Sequence, residues 1–243
     1  ISTIEFRPAT KGSGAYFVHN NLKLLPVPQN ISSTFRGTSL KNIFTVEHVL
    51  SAINGMNITD IEIYVDGIEP PILDGSSIGF VKCLQSCGII KSFGYPEPIT
   101  LKSEIKVRYN DSIICAYPCD HLIIEASIDY PNTIVGKQYA YYDETNNNYA
   151  NDIAPARTFG FMSEVEELKN RGLAKGASLE NAIAITNDGY STPLRFENEL
   201  ARHKIVDIIG DIAFLRKKLN AHIVSYKAGH KLNIELVRRI LNG

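Results

Sequence analysis

The chain has 243 residues, 44% of them apolar and 21% charged, a globular balance that excludes a disordered or fibrous protein. Its 25 basic and 26 acidic side chains leave a formal charge of -1, so nothing marks a nucleic-acid partner. No apolar run reaches the roughly 18 residues of a membrane span, and residues 1–7 lack the basic and apolar regions of a signal peptide.

Strand signals open the chain at 2–7 and 15–19, and a polar stretch rich in Asn, Ser and Pro covers 20–42. Residues 45–53 set Val46, Val49, Leu50 and Ile53 at helical spacing, with Thr45 as N-cap and Gly55 as stop. Residues 60–66 alternate apolar and polar side chains, as a half-buried strand does. Two prolines and Asp74-Gly75-Ser76-Ser77 form a turn ahead of a short helix that ends at Gly88. Strand patterns at 100–109, 112–117, 121–129 and 133–141 predict an antiparallel meander, and the polar stretch 142–152 reads as a loop. A helix at 162–169, a strand at 181–186, the longest helix at 199–218, a strand at 220–226 and a helix at 230–241 complete the chain. Strands and helices do not alternate strictly, so the class is α+β, in two halves, 1–96 and 97–243. Cys83, Cys87, Cys115 and Cys119 stand in C-x3-C pairs, not the spacing of a zinc knuckle, and read as reduced thiols of a cytoplasmic protein.

His203 and Asp207 are four apart in the longest predicted helix, so imidazole and carboxylate leave one face a turn apart. That spacing holds a metal ion, although an ordinary exposed helix pair has the same pattern. Asp211 extends the face by another turn, as a charge partner. Glu47-His48 offers a general base beside a ligand, or else a first-turn Glu favoured by the helix dipole. His230 follows Gly229 at a strand-to-helix junction and is a candidate general acid or oxyanion partner; a plain helix-start residue fits equally. Thr158, in Arg157-Thr158-Phe159-Gly160-Phe161, offers a hydroxyl for an oxyanion or simply a turn. No Walker, G-x-G-x-x-G or G-x-S-x-G motif is present.

These segments together carry a resemblance. Thr45-Val46-Glu47-His48, Pro71 to Ser76 with Phe80, and Ala156 to Phe161 come in that order. Arg171-Gly172-Leu173, Asn181-Ala182-Ile183, Arg195 to Glu199, Arg202-His203-Lys204 with Asp207 and Gly210-Asp211, and Tyr226 to His230 follow. The sequence resembles the zinc-dependent UDP-3-O-acyl-N-acetylglucosamine deacetylases of lipid A biosynthesis.

The resemblance implies a cytoplasmic enzyme, expected to be monomeric, that removes the N-acetyl group of a UDP-linked acylated glucosamine. It implies two similar domains, each a mostly antiparallel sheet with two helices, the helices sandwiched between the sheets. His48, His203 and Asp207 are then the ligands of zinc, or of ferrous iron. Glu47 is the general base, His230 the stabilising acid with its charge set by Asp211, and Thr158 the oxyanion donor. Lys204 and Lys227 reach substrate, and Phe159, Phe161, Met162, Leu179 and Ala182 line an acyl passage. The family usually opens with a further strand bearing a His, ahead of the segment matched by residue 1; without it the first sheet has an exposed edge. Thr34-Phe35-Arg36-Gly37-Thr38 departs from the small or apolar residues usual there. The alternative is an impaired sugar-nucleotide or lipid-binding protein on the same fold.

Overall fold

A computed structural model describes residues 2–91, 94, 96–164 and 181–243. In the first half, β1 (Thr3–Pro8), β2 (Ala15–His19) and β3 (Leu22–Leu24) precede β4 (Ile31–Ser33) and β5 (Ser39–Leu40), which pair with each other inside the polar stretch. β6 (Ile61–Asp66) inserts between β1 and β2, giving the order β1-β6-β2-β3 with β1 at an edge. β6 runs antiparallel to β1 and parallel to β2. Its side chains alternate buried and half-buried, which is the alternation read from its sequence.

The second half contributes β7 (Ile99–Thr100), β8 (Ile105–Tyr109), β9 (Ser112–Pro118), β10 (Leu122–Tyr130) and β11 (Gly136–Asp143). β12 (Phe159–Phe161) and β13 (Ile183–Ile185) form a separate parallel pair. β14 (Leu219–Tyr226) completes the large sheet, ordered β11-β10-β14-β9-β8, with β7 beside one end of β14. The predicted meander is therefore interrupted. β14 separates β9 from β10, antiparallel to one and parallel to the other. Its Leu219, Ala221 and Ile223 are buried, as a central strand requires, and a local turn signal says nothing about such a late insertion. The two sheets share one pattern, in which a late strand enters between two earlier ones, antiparallel to the first and parallel to the second.

The helices are α1 (Glu47–Gly55), α2 (Ile78–Cys87), the single turn α3 (Tyr149–Asp152), α4 (Glu199–Ile212) and α5 (His230–Asn242). α4 packs on β10 and β11, α5 on β8 and β9, and α1 on α2 and α4. The helices thus lie between the sheets, and one core runs from Phe17 and Ile63 through Leu50 and Ile205 to Ile124 and Ile223. The α1–α4 crossing depends on Gly210. A Cβ there would stand 2.2 Å from the Glu47 carbonyl oxygen, so any larger residue pushes the two helices apart.

Helix ends depart from the sequence reading in three places. Thr45 is not the N-cap; it adopts a positive φ of 53°, and the cap position falls to Val46. α4 stops six residues before 218, because a 3-10 turn (Ala213–Leu215) ends at Arg216 in the left-handed region, where its guanidinium binds the Ala15 and Ser13 carbonyls. α3 appears where a loop is predicted, capped by the Asn148 side chain on the Asn151 N–H. The predicted helix at 162–169 lies outside the described residues beyond 164, as do Arg171-Gly172-Leu173. The cysteines are free thiols, Cys83 and Cys87 exposed and Cys115 buried. Among the described residues, no helix is long and apolar enough to cross a membrane.

Candidate active site

The close crossing of α1 and α4 brings Glu47 and His48 from the first half against His203 and Asp207 from the second. One ligand atom from each of His48, His203 and Asp207 lies within 4.8 Å of the other two. The three side chains are almost completely buried. The Nε2 atoms of His203 and His48 stand 3.4 Å and 4.0 Å from Asp207 Oδ1. The two imidazoles meet edge to face, with centroids 5.1 Å apart.

Surrounding groups set the protonation needed for metal binding. His203 Nδ1 donates to the Ala156 carbonyl at 3.0 Å, which leaves Nε2 as the free lone pair. Burial, then the neighbouring His203, pushes His48 down to about 3, and burial also lowers His203, so both rings are neutral at pH 7. Burial opposes ionisation of Asp207, but the Lys204 ammonium, 2.9 Å from Oδ2, holds its carboxyl well below the usual range. Asp207 Oδ1 is buried without a hydrogen-bond partner. A buried anionic oxygen is costly to leave unpaired. Two neutral imidazoles, a carboxylate and this orphan oxygen fit a divalent metal with three protein ligands and an open position.

Glu47 stands beside this cluster at the first position of α1. Its Oε2 accepts the backbone N–H of Thr38 at 2.9 Å, and its Oε1 lies 3.8 Å from His230 Nε2. Burial raises Glu47 to about 7, the Asp211 and Asp207 charges adding to it against His230. His230, at the start of α5, points Nδ1 at Asp211 Oδ2, 2.9 Å away. Burial works against its charge, yet Asp211, Asp207 and Glu47 more than offset that and hold it at about 10. The site therefore contains a carboxylate and an imidazolium whose proton affinities are pushed toward base and acid duty.

The sign of the His230 shift gives a testable stability effect. A raised folded pKa stabilises the fold fully below the ordinary histidine value of 6.5, and the gain is lost as pH rises through about 10. Denaturant titrations of the metal-free chain and of His230→Gln at pH 6.5 and pH 10 check this. The stability gap between the two narrows at the higher pH.

Two buried groups escaped the sequence reading. Thr38 Oγ1 donates to Asp211 Oδ1 at 2.6 Å while its N–H holds Glu47, so one residue of the atypical 34–38 segment joins base and acid. Asn233 Nδ2 donates to Asp211 Oδ2 at 2.9 Å. Its place one turn after His230 on α5 is the only sequence signal for it. Arg36 of the same segment pairs with Glu164 at 2.7 Å.

Thr158 is positioned by its backbone. Its N–H donates to the Gly75 carbonyl and its carbonyl accepts from Ile183, each at 2.8 Å. Gly75 has φ +80°, and a Cβ there would meet the Asn181 carbonyl oxygen at 2.1 Å, which explains the glycine. Phe159 follows, its ring 6.2 Å from that of His203 and 5.2 Å from the Lys204 ammonium. Phe159 and Phe161 both pack on Tyr130, an aromatic partner the sequence reading missed. Met162 is exposed, and half-buried Ala182 adjoins Ile183, the β13 partner of Phe159. Leu179 lies outside the described residues. The Lys227 ammonium is engaged by Asp111 at 2.7 Å.

The segment bearing Thr158, just ahead of β12, is anchored to the start of α4. Arg157 Nε and Nη2 form a two-pronged pair with fully buried Glu199, at 2.8 and 3.0 Å, and the Arg157 and Arg195 N–H groups bind the same carboxylate. Arg157→Ala leaves that charge without its counter-ion, so about 3–5 kcal/mol of stability is lost, measurable by urea denaturation.

The whole chain matches known proteins. The model of the family described as UDP-3-O-acyl N-acetylglycosamine deacetylase matches residues 1–242. The chain belongs to this family. A UDP-3-O-acyl-N-acetylglucosamine deacetylase from Synechocystis sp. is 35% identical over 98% of this chain and 91% of its own length. The one from Trichormus variabilis is 37% identical over 99% and 91%. That of Campylobacter hominis is 38% identical over 98% and 83%. The deacetylase family thus accounts for the whole fold, and the His-His-Asp cluster is its candidate metal centre in this chain.

Proposed function

We propose that this member of the deacetylase family hydrolyses the acetamide of UDP-3-O-acyl-N-acetylglucosamine, releasing acetate and leaving the free amine, a step of lipid A biosynthesis. The observation that carries the reading is the buried cluster of His48, His203 and Asp207, with an orphan carboxylate oxygen and Glu47 beside it. The donor set is nitrogen and oxygen, which suits zinc first and ferrous iron second. Zinc held by these three residues would polarise the acetamide carbonyl and acidify water, since an amide is a weak electrophile.

The chain's own residues do the rest. Glu47, raised to about 7, takes the proton of the attacking water. The Thr158 hydroxyl donates to the carbonyl oxygen as that oxygen gains charge. His230, kept protonated by Asp211, stabilises that charge and hands a proton to the departing nitrogen. Thr38 and Asn233 hold Asp211 so that it orients His230 rather than the metal. Lys204, bound to Asp207 beside the Phe159 ring, is placed to meet a substrate oxygen. The strip of Phe159, Phe161, Met162 and Ala182 takes the acyl chain, and Lys227 contributes to the sugar-nucleotide side once released from Asp111. A sugar-nucleotide substrate places the reaction in the cytoplasm.

The test is acetate release from UDP-3-O-acyl-N-acetylglucosamine by the purified, zinc-loaded protein. Chelation abolishes release and added zinc restores it. A zinc-loaded chain that releases no acetate above the blank defeats the reading.

A further inference from the structure

The far end of α1 closes a second cavity, of about 720 Å³. That size is in the range of small-molecule sites. Asn54 lines it, and at about 1.5 Å of rise per residue stands roughly 9 Å along α1 from His48. None of the metal-cluster residues lines it.

Its chemistry is split. Ile58, Ala213, Pro96 and Pro98 supply accessible apolar surface above the buried Leu50, Ile53 and Leu215. Lys11, Arg216 and Lys217 stand around it. Lys218 also lines it, but is paired with Glu144 at 2.9 Å. Among the described residues, Arg216 binds neutral partners alone, the carbonyls of Ala15 at 3.0 Å and Ser13 at 2.8 Å. Burial lowers its pKa. Asp60, the single acid among the described lining residues, already accepts the Gly14 N–H at 2.9 Å and the Thr59 hydroxyl at 2.8 Å. The cavity is thus left with uncompensated positive charge beside apolar surface. An inorganic anion leaves that surface uncovered, and a neutral lipid leaves the cations unmatched.

We propose that this cavity is a binding site for an organic anion with an aliphatic body, a carboxylate on an alkyl chain. The carboxylate meets Arg216 with Lys11 and Lys217, and the chain covers Ile58, Ala213, Pro96 and Pro98. The proposal is independent of the catalytic reading, whose metal-cluster residues do not line this cavity.

Titration calorimetry of the metal-loaded chain with sodium decanoate tests it, with decan-1-ol and inorganic phosphate as comparison probes. Decanoate binds at the cavity, a component told apart from any binding at the acyl strip by its loss in the cavity variants, and both comparison probes bind there more weakly. Lys11→Gln combined with Lys217→Gln weakens decanoate about tenfold. Ile58→Trp fills the apolar side and abolishes binding there, while deacetylation is unchanged in both variants. If Ile58→Trp lowers the melting temperature, the double lysine variant decides alone. Phosphate binding as tightly as decanoate overturns the aliphatic part, and decanol doing so overturns the role of the cations. Absent binding, or equal binding in wild type and the lysine variant, overturns the site.

Discussion

Glu47→Gln slows deacetylation by about 10²–10⁴-fold, the usual worth of a positioned general base. The substitution keeps the shape of the side chain and the Thr38 N–H contact to it, so α1 starts as before. It removes only the group that accepts a proton. Metal content stays at the wild-type level, since Glu47 is not among the three clustered ligands. The informative comparison is kcat against metal content on one preparation. A Glu47→Gln enzyme that keeps the wild-type rate refutes the base assignment, and one that has lost metal shows a structural role instead. His230→Gln provides the contrast. If it costs much less than Glu47→Gln, Glu47 handles most of the proton traffic and His230 acts chiefly through charge.

His203→Ala removes a ligand and weakens metal affinity by more than about 100-fold, exceeding the 10–100-fold typical of losing a group behind a ligand. Elemental analysis after dialysis then finds about one metal per wild-type chain and almost none in the variant, with deacetylation lost alongside. Folding survives the change. The Ala156 carbonyl loses its partner, at a cost of about 1–3 kcal/mol, well short of global stability for a domain of this size. Circular dichroism distinguishes the outcomes. A variant with native helix content and no metal supports a ligand role for His203, whereas retained metal moves the site elsewhere.

Both experiments rest on a cluster whose members were each ambiguous in isolation. His203 and Asp207 at i and i+4 are legible on any helix, but the same pair occurs on solvated faces. Their burial, and that of Glu47, comes from the α1–α4 crossing that Gly210 permits. Thr38 and Asn233 had no motif to announce them. Each is an ordinary residue marked out by a hydrogen bond to Asp211, and Thr38 by a second one to Glu47. The same holds for Arg157, whose pairing with Glu199 spans 42 positions.

Periodicity was sufficient for β6, β10, β14 and α5, because each buries one face and must repeat with its own period, whereas α1 and α4 bury nearly every side chain and only their apolar positions hinted at a helix. Element ends were less legible. Thr45 looks like a cap, yet the helix start is tied down by Thr38, nine positions before Glu47; Arg216 ends α4 by reaching carbonyls some 200 positions earlier. Whereas the base and the metal ligands stood out only through the resemblance of many segments taken together, the class and most of the strand and helix inventory are written in residue types and spacings, which local physics reads directly. Strand order is not, since β14 pairs with strands about 100 residues upstream. Nor are the protonation states of Glu47, His230 and Asp207. They follow from burial and from charges carried on different helices, and only the folded chain brings those within a few ångströms of one another.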